Sequence, residues 1–285
     1  MGKKLLLFPG QGSLNKEKAK EMFEQDICVR ETLQEVGEYA GNDIGKKLTI
    51  DVELDIFSVS YIIFALSLSS FRKFSKEELE NAIFAGHSLG EISALSCAGA
   101  FSIKDTVTLI TKRAELASSI LDAGMLIITK INSQVIGQLC KTLRESGEKI
   151  WISCDNEATQ TCIAGSSQSL FRAEVVLKQL GAGVYPIEGN LPYHCEMLKE
   201  KVIELKYVIE SLNMHSINYV VLSNAFAKPY EKNGSFVRNL CAQFTEVVRW
   251  RECMDYIRRQ QYEEYYEMGY SHILSNIFAK NVEEE

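Results

Sequence analysis

Ser88 is the residue whose neighbours are best suited to covalent chemistry. It stands in Gly86-His87-Ser88-Leu89-Gly90-Glu91, a G-x-S-x-G run. The short apolar stretch Asn81-Ala82-Ile83-Phe84 precedes it, and Ile92 to Ala100, rich in Ala, Leu and Ser, follows. Strand, G-x-S-x-G and helix in that order predict a nucleophile elbow, a sharp turn that exposes the serine oxygen. Glycines two residues to either side let strand and helix approach without a Cβ clash. The next amide, on Leu89, opens the helix, where the helix dipole also favours negative charge. It is the candidate donor to an oxyanion.

A serine nucleophile needs a base at neutral pH. The histidines are His87, His194, His215 and His272. His87 adjoins Ser88, and neighbouring side chains at an elbow point apart. His215 and His272 lie in no distinctive loop. His194 closes Gly189-Asn190-Leu191-Pro192-Tyr193-His194, where Pro192 stops regular structure, so it is the candidate base. No carboxylate stands out as a third member, which leaves a backbone carbonyl or an amide side chain to orient the histidine. Two other residues are open to two readings. Gln11 lies in Pro9-Gly10-Gln11-Gly12-Ser13, after the apolar Lys3–Phe8. It belongs either to a strand-end turn or to a loop whose amide enters the serine's pocket. Arg113 lies in the helical stretch Lys104–Leu121, where a lone arginine is ordinarily a solvated surface residue.

These groups need elements to hold them. The chain has 285 residues, 46% hydrophobic and 24% charged, which suits a globular protein of one large domain or one with an insert. A net charge of −7 and the lack of a basic stripe argue against nucleic-acid binding. Eight cysteines without a C-x-x-C pair, and four scattered histidines, predict reduced thiols, a cytoplasmic location and no metal. Ile56–Phe71 is uncharged but too short and serine-rich to span a bilayer, so it is expected to be a buried helix rather than a membrane contact. Lys16–Phe23 and Cys28–Tyr39 are expected as surface helices, Glu196–Leu212 and much of Gln243–Tyr256 as further helices, and Val282–Glu285 as a solvated end. Between 123 and 190 the pattern is strand, helix, strand, strand, helix, strand, the ferredoxin-like order. Strand-like runs at Asn218–Leu222 and Glu263–Met268 match those at the start of the chain. The expected fold is therefore α/β. A large α/β-hydrolase-like domain with a mostly parallel sheet takes 1–122 and 191–285, and a ferredoxin-like insert takes 123–190.

Phe8-Pro9-Gly10-Gln11-Gly12-Ser13, Gly86–Glu91, Arg113 and Pro192-Tyr193-His194 come in an order and spacing that resembles the acyl-carrier-protein S-malonyltransferases. That family includes the acyltransferase domains of polyketide synthases. Asn156, Gln160, Ser223-Asn224-Ala225, Gln243 ahead of Val248-Arg249-Trp250, and Glu267-Met268-Gly269 fit the same pattern. The resemblance implies Ser88 and His194 as catalytic pair, the amides of Leu89 and Gln11 as oxyanion hole, and Arg113 as partner of a malonyl carboxylate. Gln243 and Asn156 are implied as supporting residues. Malonyl-CoA is implied as substrate and an acyl carrier protein as partner, with no metal or redox cofactor. Leu14, the run Ala114–Ser118, Glu53-Leu54-Asp55 and Gly269-Tyr270 depart from the family's usual residues. They suggest a specialised, free-standing enzyme serving a polyketide synthase. Tyr193, where malonyl-selective members carry Phe, favours malonyl over methylmalonyl. An acyl hydrolase on the same scaffold is the nearer alternative, opposed by Arg113. A non-catalytic carrier-docking subunit is the more distant one.

Overall fold

The computed structural model describes residues 3–187, 189, 191–232 and 234–283. Strand β1 (Lys3–Phe8) runs through the middle of the molecule. Leu5, Leu6, Leu7 and Phe8 are all fully buried, as expected of a parallel strand covered on both faces. Helices α1 (Lys16–Gln25), α2 (Ile27–Ala40) and α3 (Ile44–Thr49) follow, then α4 (Ile56–Phe71). The α4 helix is apolar nearly all round and buried along most of its length. Its first turn is capped by Asp55, which accepts from Ser58 N at 2.8 Å. The stretch expected as a second surface helix, α2, instead buries Val29, Leu33 and Val36 against the core.

Strand β2 (Ile83–Gly86) leads through the elbow into α5 (Leu89–Cys97), and α6 (Ile103–Ser118) follows. Then come β3 (Ala123–Thr129), α7 (Ser133–Glu145), β4 (Ile150–Glu157), β5 (Gln160–Ser166), α8 (Ser167–Gln179) and β6 (Gly183–Pro186). These four strands form one antiparallel sheet in the order β4-β5-β3-β6. Alternation along the strands divides their side chains. Ile128, Ile150 and Ile163 pack under Ile136 and Cys140 of α7 and Leu170 and Leu177 of α8. Met125, Cys154, Cys162 and Ala164 face the other way and join the main core.

The chain returns through α9 (Val202–Ser211), β7 (Val220–Ser223), β8 (Lys228–Pro229), α10 (Phe236–Thr245), α11 (Trp250–Arg258), β9 (Tyr262–Glu267) and α12 (Ile273–Glu283). The central sheet has the order β8-β7-β2-β1-β9, parallel except at β8. Phe8 pairs in register with Gly86, so the loops after β1 and β2 leave the sheet side by side. The carboxyl ends of β1, β2 and β7 thus converge, the usual place for a site in an open α/β sheet.

Two expected helices are broken. Glu196–Leu198 is a single tight turn before α9, because the chain here must bury Leu198 and lay His194 N on Phe244 O at 3.2 Å. The Gln243–Tyr256 stretch is split, because Val248 leaves the helix to pair with β4. Asp155 N donates to Val248 O and Val248 N to Ser153 O, both at 2.9 Å. That bridge ties the antiparallel sheet to the main body. The end of the chain is helical through Glu283, with Ile277 and Phe278 buried. Glu284 and Glu285 of the expected solvated tail, and Asn190 of the loop before His194, lie outside the described residues. Among the described residues no helix is long and apolar enough to cross a membrane.

Candidate active site

The elbow forms as its glycines require. A Cβ on Gly86 would lie 2.0 Å from the Gly90 carbonyl, and one on Gly90 would lie 1.9 Å from Phe8 O. Both are backbone clashes that no rotamer relieves. Ser88 is held at φ 55° and ψ −111°, a strained conformation for a residue with a side chain. The strain is held by bonds on both sides. His87 N donates to Phe8 O at 3.0 Å. Ser88 N donates to Asn224 Oδ1, and Asn224 Nδ2 to Gly86 O, each at 2.7 Å.

The half-buried Ser88 Oγ lies 2.6 Å from His194 Nε2. His194 Nδ1 lies 2.5 Å from the main-chain carbonyl of Gln243. A carbonyl only accepts, so Nδ1 carries the proton and Nε2 presents its lone pair to the serine hydroxyl. Burial pushes the imidazole well below its ordinary pKa. The Arg113 guanidinium pushes it the same way, the Gln243 carbonyl opposes both, and His87 adds a smaller downward push. The ring is therefore neutral at neutral pH, as a general base must be. His194 also has a positive φ, 60°, so both members of the pair sit in strained backbone.

Arg113 is not a surface residue. It is 2% exposed, and its guanidinium lies 4.4 Å from the centre of the Tyr193 ring. Nη2 donates to Ser88 Oγ at 3.0 Å and lies 3.2 Å from His194 Nε2. Nε and Nη1 are buried without a hydrogen-bond partner, and no carboxylate is bonded to the group among the described residues. A buried guanidinium with idle donors beside a serine hydroxyl can receive an anionic group.

Gln11 and Leu89 complete the site. The Gln11 side-chain Nε2 donates one of its two N–H groups to Ser60 Oγ at 2.7 Å, which fixes the loop after β1. The main-chain amides of Gln11 and Leu89 donate to no carbonyl among the described residues and are left for an oxyanion. Ser88's own amide is excluded by its bond to Asn224. Gln11, Ser88, Tyr193 and His194 line a cleft of about 200 Å³ between the two sheets, and Arg113 lies behind Ser88 and Tyr193. The walls of the cleft are Met125 and Ile127 of β3, Ile56 of α4, and Ile273 and Ile277 of α12.

The sequence family described as the acyl transferase domain matches residues 6–236. The chain belongs to that family. It is 27% identical over 288 residues to a malonyl CoA-acyl carrier protein transacylase of Bacillus subtilis strain 168, covering 98% of this chain and 90% of the relative. It is also 27% identical to the polyketide biosynthesis malonyl CoA-acyl carrier protein transacylase BaeC of Bacillus velezensis, covering 96% and 95%. A solved acyl carrier protein S-malonyltransferase from Vibrio cholerae superposes with a TM-score of 0.86 at 27% identity, covering 99% of this chain and 94% of that one.

In this acyltransferase the sequence-predicted Ser88, His194, Arg113, Gln11, Leu89 and Gln243 all meet at one point. Gln243 contributes twice, by its carbonyl to His194 and by Nε2 to Ser88 O at 2.7 Å. Asn156 stands one step away. It lies 2.8 Å from His87 Nε2, and the His87 ring meets the edge or face of Trp250 at 5.3 Å between centroids. Asn156 therefore supports the elbow through His87 rather than touching the catalytic pair. His215 and His272 are exposed and line no part of the cleft that holds Ser88. Sequence reasoning assigned no role to Asn224, Tyr230, Ser60 or Glu91. Only Asn224 and Glu91 had a signal, one ending a strand and the other closing the elbow run. All eight cysteines are free thiols.

Proposed function

We propose that this acyltransferase moves a malonyl group from malonyl-CoA, through an acyl-serine on Ser88, to the phosphopantetheine thiol of an acyl carrier protein. The observation that carries the reading is Arg113, buried, 3.0 Å from Ser88 Oγ, with Nε and Nη1 unpartnered. Such a cation is costly beside an uncharged acyl chain and favourable beside a carboxylate. The names of the curated relatives support the same substrate and partner.

The geometry supports a ping-pong sequence. His194 Nε2 takes the hydroxyl proton as Ser88 Oγ attacks the thioester carbon. The oxyanion forms against the amides of Leu89 and Gln11, each worth roughly 3 kcal/mol of barrier. The C–S bond breaks, and the proton on His194 passes to the leaving CoA sulfur. The acyl-serine keeps its carboxylate on Arg113. The carrier thiol then gives its proton to His194 and attacks the ester carbon, and the returned proton restores the Ser88 hydroxyl. Both half-reactions use only groups of this chain and the two thiols.

The likeness to the polyketide-associated transacylase supports a discrete enzyme supplying a polyketide or fatty-acid synthase. Free thiols throughout suit a cytoplasmic location. The test mixes the enzyme with malonyl-CoA and either holo or apo carrier protein. Malonyl-carrier formed in step with released CoA, and only with the holo form, is the expected result. CoA release matched by free malonate would replace transfer with hydrolysis.

A further inference from the structure

Directly beneath the catalytic pair lies a buried acid. Glu91 is fully buried, in the first turn of α5. Its Oε2 accepts from Asn224 N and from Gln243 Nε2, both at 3.1 Å, and its Oε1 accepts from the Tyr230 hydroxyl. Two of these three donors belong to residues that hold the pair. Asn224 Oδ1 fixes Ser88 N at 2.7 Å. Gln243 Nε2 fixes Ser88 O at 2.7 Å, and the Gln243 carbonyl orients His194 Nδ1 at 2.5 Å.

We propose that Glu91 is a positioning residue for acyl transfer, one carboxylate that locks Asn224 and Gln243 and so keeps Ser88 and His194 in register. This rests on the reading of Ser88 and His194 as the reacting pair. A position that needed only filled volume is better served by an apolar side chain, because a buried acid weakens the fold. Here burial pushes the carboxyl up to about 7 against hydrogen bonds from Tyr230, Asn224 and Gln243. What the acid supplies is acceptor geometry, two oxygens for three converging donors. Glutamine reproduces it by turning its amide oxygen toward Asn224 and Gln243 and its NH₂ toward the Tyr230 oxygen. Alanine leaves the Asn224 amide with no acceptor. Aspartate keeps the charge but is one methylene short of the donors. A shift of about 1 Å in the groups that orient the base costs on the order of 100-fold in rate.

The experiment compares wild type, E91A, E91D and E91Q by rapid-quench acylation with malonyl-CoA. The rate constant, the burst amplitude and KM are read separately, and thermal melting is followed in parallel. A fluorophosphonate serine probe is run beside it. E91A and E91D are expected to lose about 100-fold in the acylation rate constant, with KM changed less than about 3-fold, and E91Q to stay within about 3-fold of wild type. If E91A does not fold, E91D against E91Q decides. A lowered amplitude with an unchanged rate constant in E91A or E91D would mean that Glu91 only supports the fold, and would overturn the proposal. So would E91Q as slow as E91D. A wild type that reacts with the probe but not with malonyl-CoA overturns the substrate reading instead, and the probe rates still test Glu91.

Discussion

Replacing Arg113 by alanine separates the two consequences of an unpaired buried guanidinium. In the free enzyme the group is 2% exposed, has two idle nitrogens and is bonded to no carboxylate among the described residues. Desolvation lowers its pKa against smaller opposing effects of Tyr193, Glu91 and Cys154, and the Glu91 carboxylate bonds to other groups. When a malonyl group enters, its carboxylate gains a charge-assisted partner in a site with little water. Removing one member of such a pair costs roughly 2–5 kcal/mol, or about 30- to several-thousand-fold in rate at 1.4 kcal/mol per decade. Acetyl loading loses nothing of this kind, because acetyl brings no carboxylate. The assay is the ratio of acyl-enzyme formation rates for malonyl-CoA and acetyl-CoA, read by rapid quench and intact mass. The ratio should collapse by that factor in Arg113→Ala and recover only in part in Arg113→Lys, whose ammonium lacks the planar fork. Arg113→Met should in addition raise the free enzyme's unfolding free energy, by about 1–4 kcal/mol, since an apolar chain replaces an unpaired cation. An unchanged malonyl-to-acetyl ratio in Arg113→Ala refutes the reasoning, because the carboxylate would then be held elsewhere.

Three further outcomes are expected. His194→Ala should cut acylation about 100- to 10,000-fold, and wild-type kcat/KM should stay flat as pH falls through 6.5, since the folded imidazole titrates well below that value; an acid limb centred at 6.5 or above contradicts the assignment. Gly90→Ala should abolish the elbow, because its Cβ would lie 1.9 Å from Phe8 O, and near-normal acylation by that variant would show that β1 can retreat. Glu91 has an ordinary pKa of 4.5 that burial raises to about 7 in the fold, against the downward pull of Tyr230, Asn224, Gln243 and Arg113, with the Cys253 thiol also facing it. Its contribution to stability is full below 4.5 and is lost as pH rises to 7, a loss of about 3 kcal/mol that Glu91→Gln should remove; urea midpoints that run parallel for the two proteins over that range would contradict it.

The parts of the site that could be read from sequence are those set by local chain geometry. The elbow is one, because Gly86 and Gly90 are dictated by contacts within a few residues and with the adjacent strand end. His194 is another, singled out by a proline that keeps it out of a helix. Helical context alone misplaced Arg113. Its burial comes from Ser88 at the elbow and from Tyr193 and His194, which the return of the chain after β6 brings to it. The oriented tautomer of His194 was open for a different reason: any residue has a carbonyl, and only the fold puts that of Gln243 there. The same holds for the break before α11, where Val248 pairs with β4 across a sheet boundary that helical propensity cannot see. The charged end at 282–285 marks solvent and gives no sign of helix α12, whose Ile273 and Ile277 wall the cleft.

The central claim is an acyl group on Ser88 Oγ, 2.6 Å from its base. The direct measurement is peptide-mapped intact mass after brief exposure to malonyl-CoA, for wild type and Ser88→Ala, before and after holo carrier protein is added. One malonyl group on the Ser88 peptide of wild type, none on Ser88→Ala, and quantitative discharge onto the carrier thiol is the predicted result. A malonyl adduct that persists on Ser88→Ala, or that maps to Cys154 or Cys162 in the cleft wall, would contradict it.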